Sequence, residues 1–462
     1  MAQPTGIHAR RAALRLLDAV LRRGETLDVA FGSATKDVRK FEDKALARAI
    51  ASEVLRWLVD LDALIDSATK KPLPADAKAR TVLRMMLAQW LRLDTPPHAV
   101  IATCLPLLAG GPRRLAHGVF STLTKREIAL PEAPTLPAEV AERWGDRTAA
   151  IAQGLAEPPP LDLTLKDPAQ TEVWKAKLAA DSLMPGHLRL ARGENIEKLP
   201  GFAEGEWWVQ DIAASLPARL LGEGEGRHVL DLCAAPGGKS LQLAAQGWQV
   251  TSLDISKRRL DLLRANFKRV GLKASPLRAD ALTWEPKHRF DAILLDAPCT
   301  ATGTARRHPD VLHRIGARQI AEMAELQAAL LERASGWLKP GGVLVYATCS
   351  LEREEGEARL ADSELDLVPI SQDELPEGIA PGADGTLRTD PGMMAENGGI
   401  DGFFIARLKK RQKEGKVLTV HRNSGPHRPH AGHLRLAIHI FESMGSTISV
   451  SPHEDAAILA AS

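Results

Sequence analysis

Two cysteines and one aspartate are the residues of this 462-residue chain whose types and placement best suit chemistry. Leu295-Asp296-Ala297-Pro298-Cys299-Thr300-Ala301-Thr302-Gly303 follows one apolar run, and Tyr346-Ala347-Thr348-Cys349-Ser350 closes the next. A lone cysteine at a strand end is usually a small core residue. Two thiols on one edge with a carboxylate between them suit covalent catalysis, in which one thiolate attacks and a second group handles the proton. The residue types alone do not say which thiol attacks.

A second constellation lies upstream, from Arg227 to Ser240. Val229, Leu230 and Leu232 form an apolar run of the kind buried in a parallel strand, and Gly237-Gly238 lets the backbone turn sharply beside a ligand. This strand, turn and helix start reads as a nucleoside pocket, with Cys233, Ala234, Ala235, Pro236, Gly237, Gly238 and Lys239 along the turn. Of the phosphate-loop pattern only Gly238-Lys239-Ser240 is present, so the grip on phosphate is slight. The absence of G-x-G-x-x-G after the strand also disfavours an NAD-dependent dehydrogenase. Asp254, about 20 residues past the turn, stands where an acid accepts hydrogen bonds from ribose hydroxyls. Asp280 is placed to meet an adenine edge. Either acid alone suits a helix cap; beside the glycine turn, ligand binding is favoured.

These residues need a scaffold that brings strand ends together. After Lys239, helix and strand alternate: helix 240–245, strand 250–254, helix 257–270, a short strand near 276–278, strand 290–296, helix 319–338 and strand 342–348. That pattern predicts a doubly wound parallel sheet, whose ligands sit at the carboxyl strand ends, where Asp231, Asp254, Asp280, Asp296 and Cys349 fall. Upstream, residues 7–130 carry apolar residues at helical spacing and predict an all-α bundle of five or six helices. Cys104 and His117 within it are expected to be inert and packed. A proline-rich connector around a helix at 138–155 leads to a small α/β unit with strands at 161–165 and 187–191 and a helix at 171–182 capped by Thr171. Trp207 and Trp208 suit either base stacking or packing, and paired aromatics beside a strand more often pack.

Composition narrows the class. No apolar run reaches membrane-spanning length and the first residues lack a signal-peptide pattern, so a cytoplasmic protein without a membrane partner is expected. The four cysteines lie too far apart for a CxxC knuckle, and no metal site is expected. Residues 1–130 carry 21 Lys and Arg against 13 Asp and Glu, and the remainder 39 against 45, so the helical part is the basic one. A basic module joined to a nucleoside-binding module suggests a nucleic-acid substrate, although charge alone equally describes a solvated helical surface. Residues 411–462 hold six of the fourteen histidines, among them His421, His427, His430 and His433, interspersed with Pro, Gly, Ser and Arg, and read as a disordered extension.

The motifs together resemble one family, the RNA cytosine-C5 methyltransferases of the RsmB (Sun/Fmu) and NSUN type. The resemblance rests on Asp231 to Lys239, Asp296-Ala297-Pro298-Cys299, Arg306-Arg307-His308-Pro309-Asp310, Thr348-Cys349-Ser350 and Asp401-Gly402-Phe403-Phe404, and spans roughly residues 7–410. It implies a NusB-like helical RNA-binding domain over 1–130, a connector and small α/β domain over 131–221, and a Rossmann-like class I methyltransferase domain over 222–410. It further implies S-adenosylmethionine as cofactor, held by 233–239, Asp254, Asp280 and Asp296. RNA, most plausibly small-subunit ribosomal RNA, is the implied partner of a monomeric enzyme. Cys349 is then the thiol that adds to cytosine C6, Asp296 steadies the adduct near N3, and Cys299 assists release. The reverse assignment is the pattern of DNA cytosine methyltransferases. A catalytically silent RNA-binding or ribosome-assembly factor, and a methyltransferase of transfer RNA, are the alternatives. Two departures stand out: Glu354-Glu355-Gly356 replaces a usual Glu-Glu-Asn, which removes an orienting amide, and Thr300-Ala301-Thr302-Gly303 replaces Ser-Gly-x-Gly, which stiffens the loop after Cys299.

Overall fold

The computed structural model describes residues 6–412 apart from Glu194 and Asp362, so the histidine-bearing extension lies outside the described residues from 413 onward. The described residues form two compact units, 6–158 with 304–316, and 159–303 with 317–412.

The first unit is helical, with Ile7–Arg23, Leu27–Thr35, Phe41–Arg56, Leu58–Ser67, Lys78–Arg92, Pro97–Cys104 and Gly110–Lys125 enclosing one apolar core. This is more segmented than the spacing predicts, because Trp57, with φ −107° and ψ 19°, breaks one helix into two with neither glycine nor proline at the break. Its ring is buried under the Arg92 guanidinium, 5.1 Å from the centroid, so tertiary packing sets the break. The helix expected over 138–155 is likewise split, into Ala138–Trp144 and Thr148–Leu155, at Gly145. Cys104 is buried and its sulfur accepts from Gln89 Nε2 at 3.1 Å; His117, expected to be packed, is exposed.

Residues 304–316, which carry the Arg-Arg-His-Pro-Asp motif, belong to this unit. Asp28 is bonded there by Arg48 at 2.7 Å and by His308 Nδ1 at 3.3 Å. Burial raises its carboxyl, but Arg48 and His308 outweigh burial and hold it at about 2. His313 Nε2 meets the Leu55 carbonyl at 2.6 Å, and Arg56 donates to the carbonyls of Leu155 and Arg306 at 2.7 and 2.8 Å.

The second unit opens with a small antiparallel sheet of β1 (Leu161–Leu165), β2 (His187–Leu190) and β3 (Trp207–Val209), in the order β2-β1-β3. Trp207 and Trp208 are packed rather than available for stacking, with their indole N–H groups donating to Pro200 O and Gln210 Oε1. The helix after β1 is Thr171–Leu178, shorter than expected, and Thr171 does not cap it; its hydroxyl donates to Pro168 O and accepts from Gly186 N. The main sheet comprises β4 (His228–Leu232), β5 (Gln249–Asp254), β6 (Ser275–Arg278), β7 (Phe290–Asp296), β8 (Leu338–Thr348), β9 (Asp366–Leu367), β10 (Leu387–Thr389) and β11 (Phe403–Lys409).

Their order is β10-β11-β8-β7-β4-β5-β6, with β9 also on β11. Strands β4 to β8 are parallel, and the switch of direction falls between β4 and β7. The expectation of a wholly parallel sheet is corrected at one edge: β11 runs antiparallel to β8, and β9 and β10 antiparallel to β11. Among the described residues no α-helix lies between β8 and β11, and β11 returns beside β8 in the opposite sense.

One buried polar knot ties the small sheet to the segment entering the main one. Asp162 accepts from Arg189 Nε and Nη2, both at 2.7 Å, and from the Ile212 backbone N–H at 3.1 Å. Burial opposes the carboxylate, but Arg189 and then His187 outweigh it, so Asp162 sits well below the ordinary range. Asp162→Ala removes the carboxylate that faces a buried guanidinium and is expected to remove about 3–5 kcal/mol of stability. Urea unfolding measures this, and a loss under about 1 kcal/mol sinks the idea.

Candidate active site

Cys299 and Cys349 come from different strand ends, three residues past β7 and one past β8. The structure brings their sulfurs to 3.4 Å. The neighbouring Cys349 sulfur first, and burial second, push the Cys299 thiol well above its ordinary value. That holds Cys299 as a neutral thiol, fit to handle a proton.

What joins the two loops is Glu355, a fully buried carboxylate. It accepts from the Thr300 backbone N–H at 2.9 Å, the Thr300 hydroxyl at 2.5 Å and Gln327 Nε2 at 3.1 Å, and also from the Ser350 hydroxyl. Its own carbonyl takes the Tyr346 and Thr348 hydroxyls at 2.8 and 3.2 Å. Burial raises the Glu355 carboxyl despite these donors. The loops also meet through backbone: Gly303 N–H donates to Cys349 O at 3.0 Å, and Gly402 N–H to Gly303 O at 2.8 Å. A Cβ on Gly303 would collide with the Gly402 carbonyl, so only glycine fits there.

Asp296 closes β7 with its carboxylate 2.8 Å from Lys239 Nζ. Burial works against the Lys239 ammonium, but the Asp296 charge and hydrogen bond, with a smaller contribution from Cys349, raise it above its ordinary value. The ammonium also lies 5.4 Å from the centre of the Phe403 ring. Lys239 is therefore a permanent cation of the thiol site, a role its place at a helix start does not disclose. Behind it Asp231 is fully buried, holding the Ser240 hydroxyl at 2.5 Å, and burial pushes its carboxyl up to about 7.

Beside the switch point lies a pocket, open to solvent, in which Cys233, Asp254 and Asp280 face Leu282, Pro298 and Leu326. Two carboxylates among aliphatic walls fit a nucleoside, with acceptors for hydroxyl and amino groups and a slot for the base. Asp254 has structural duties as well: its oxygens accept from Ala235 N–H at 3.1 Å and Ser256 N–H at 2.8 Å. Asp280 similarly accepts from Leu282 N–H at 2.9 Å.

The rest of the turn builds its own shape. Ala234 and Ala235 pack with Trp208 and Leu260, and the Ala235–Pro236 peptide is cis. Pro236 O accepts from Asn266 Nδ2 at 3.2 Å. Gly237, at φ 111°, caps the helix that Gly238 begins, with Leu263 where a side chain would go. Sequence reasoning missed Glu355 and the Lys239–Asp296 pair. Glu355 enters the sequence reading only as part of Glu354-Glu355-Gly356, and nothing local marks it as a buried acceptor. Among the described residues no cluster able to hold a metal ion assembles, and no helix is long and apolar enough to cross a membrane.

Two family models match, 16S rRNA methyltransferase RsmB/F over residues 218–409 and the NusB family over residues 7–109. The chain is 35% identical to ribosomal RNA small subunit methyltransferase B of Klebsiella pneumoniae, covering 88% of this chain and 99% of that one. It is 34% identical to the protein of that name from Salmonella arizonae, over 87% and 98%. The crystal structure of PH0851 superposes with a TM-score of 0.66 at 26% identity, over 87% of this chain and 99% of that one. NSun6 from Pyrococcus horikoshii, solved with SFG, shares the fold with a TM-score of 0.53 at 22% identity, over 60% and 99%.

Glu355→Ala strips four donors of their acceptor and is expected to cost about 3 kcal/mol or more in urea unfolding, with Glu355→Gln losing less than half of that. Equal losses in both variants contradict the clamp. For Asp231, a folded-state carboxyl near 7 against an ordinary value near 4 means that the native state binds the extra proton, so stability falls as pH rises through that window. Asp231→Asn is therefore expected to gain about 2–3 kcal/mol on the native protein between pH 5 and 7.5. Parallel pH profiles of the two proteins count against this.

Proposed function

The chain belongs to the RsmB/F family of 16S ribosomal RNA methyltransferases and is an S-adenosylmethionine-dependent rRNA methyltransferase; from that premise we propose that it methylates C5 of a cytosine through a covalent thiol adduct. The observation that carries the reading is the pair of sulfurs 3.4 Å apart at the carboxyl end of the sheet, beside the Asp296–Lys239 pair.

S-adenosylmethionine, when bound, supplies the methyl group. Asp254 and Asp280 would hold its nucleoside in the pocket they line, with Cys233 and the turn 234–239 bounding the methionine end. Cytosine C5 is a poor nucleophile until a thiolate adds to C6. Cys349 is the attacking thiol: its charge acts on the Lys239 ammonium, and the neighbouring Cys299 is held neutral. Addition forms the Cys349 Sγ–C6 bond and places electron density on N3, where a proton is drawn through the Asp296–Lys239 pair. After methylation the C5 proton must leave so that the Sγ–C6 bond breaks and the ring double bond returns. Cys299, adjacent to Cys349, assists that release: it gives its thiol proton to the departing Cys349 sulfur, and the thiolate so formed takes the C5 proton.

The target base has to leave its stack to reach the thiols, so an unpaired or flipped cytosine is the substrate. The basic helical part supplies backbone attraction, and affinity falls steeply with salt. Labelled-methyl transfer to RNA from cells lacking the protein, mapped by bisulfite, is expected to mark a cytosine of small-subunit rRNA; no label at all leaves the silent assembly factor. Cys349→Ala is expected to abolish transfer, and Cys299→Ala to leave a protein–RNA adduct that survives a denaturing gel. An adduct formed without Cys349 overturns the assignment.

A further inference from the structure

Gly356 has no room for a side chain. A Cβ there would strike the Arg388 guanidinium and come within 2.9 Å of Phe404 Cγ. Arg388 on β10 pairs across the sheet with Phe404 on β11, and its guanidinium lies 5.1 Å from the centre of that ring. From there it makes three bonds. Nε and Nη2 meet the two Glu357 oxygens at 2.8 and 2.7 Å, and Nη1 donates to the Ser350 carbonyl at 2.9 Å.

The last bond reaches the carbonyl of the residue immediately after Cys349. Ser350 is thereby held at two points, its hydroxyl by Glu355 and its carbonyl by Arg388. The fork that Glu357 forms with Arg388 fixes the guanidinium plane, so the third donor is aimed rather than merely nearby. Burial opposes the Glu357 carboxylate, yet Arg388 outweighs it and keeps it charged.

We propose that Arg388 is a positioning residue for the attacking thiol, fixing the Cys349 loop through the Ser350 carbonyl from the space that glycine at 356 leaves open. The Arg388 guanidinium fills the volume that a side chain at 356 would need, and its fork with Glu357 aims the third donor at the loop. The inference rests on the reading of Cys349 as the attacking thiol.

The test uses the purified full chain as wild type, Arg388→Ala, Glu357→Gln and the double variant. RNA from cells lacking the protein serves as substrate, with hydrogen exchange of residues 349–356 as a readout that needs no RNA. Arg388→Ala is expected to lower kcat about thirtyfold while KM for S-adenosylmethionine stays within about twofold, the signature of lost positioning rather than lost binding. Glu357→Gln loosens the fork and is expected to lose part of that activity. The double variant is expected to be no slower than Arg388→Ala, a non-additivity that general loosening of the fold does not produce. A kcat for Arg388→Ala above about a third of wild type, or a double variant slower than Arg388→Ala by the full Glu357→Gln factor, overturns the proposal. Should wild type itself leave cytosine unmethylated, the functional reading fails on its own. Exchange then decides the positioning claim: it stands if amides 349–356 exchange about tenfold faster in Arg388→Ala and no faster still in the double variant, and falls if they do not.

Discussion

The site depends on one buried carboxylate without a cation. Glu355 is surrounded by hydroxyls, an amide and a backbone N–H, and no Lys or Arg bonds its side chain in the contacts that define it. Such a group is costly to bury and persists where several donors converge on it. Those donors belong to three elements: the loop after β7, the loop after β8 and the helix Ala317–Trp337, which contributes Gln327. Withdrawing any one leaves the others underpaid in hydrogen bonds, so the three elements are locked as a set. The 3.4 Å separation of the sulfurs follows from that lock, because Thr300 and Ser350 are the chain neighbours of Cys299 and Cys349.

Charge is distributed on the same logic. Burial first, and the Asp296 charge to a lesser degree, raise the cost of ionising Asp231, while the Lys239 ammonium is committed to Asp296. Asp231, bonded by the Ser240 hydroxyl, which in turn meets the Ser252 hydroxyl, takes the penalty and moves toward neutrality. The pair thus divides into a carboxylate facing the thiols and a structural acid behind them. Residue type does not distinguish these roles; burial and the reach of one lysine do.

Much of the scaffold is legible in the sequence, because it is written in local pattern. The helix Lys257–Val270 and the strand Phe290–Asp296 have the bounds that periodicity predicts, and the strand-end residues Asp231, Asp254, Asp296 and Cys349 fall at the carboxyl edge as the alternation requires. What is hidden is set at a distance. The break at Trp57 is imposed by packing. The antiparallel edge depends on where β11 finds a partner, and the membership of 304–316 in the helical unit depends on bonds to Asp28, Leu55 and Arg56 some 250 residues away. Glu355 is invisible for the same reason: its partners lie 55 and 28 residues upstream as well as five.

The unusual loop after Cys299 shows how such distant bonds offset a local cost. Ala301 holds φ 57°, a left-handed conformation that a glycine adopts freely and that costs an ordinary residue about 1–2 kcal/mol. The threonines flanking it restore what the alanine loses. Thr300 gives both its N–H and its hydroxyl to Glu355, and the Thr302 hydroxyl accepts from Leu351 N–H at 3.0 Å. At about 0.5–1.5 kcal/mol for each net hydrogen bond, three such bonds match or exceed the strain. They also run from the Cys299 loop to the residues that follow Cys349. The substitution of threonine and alanine for smaller, freer residues therefore does not disable the loop. It exchanges backbone freedom for side-chain ties that hold one thiol against the other.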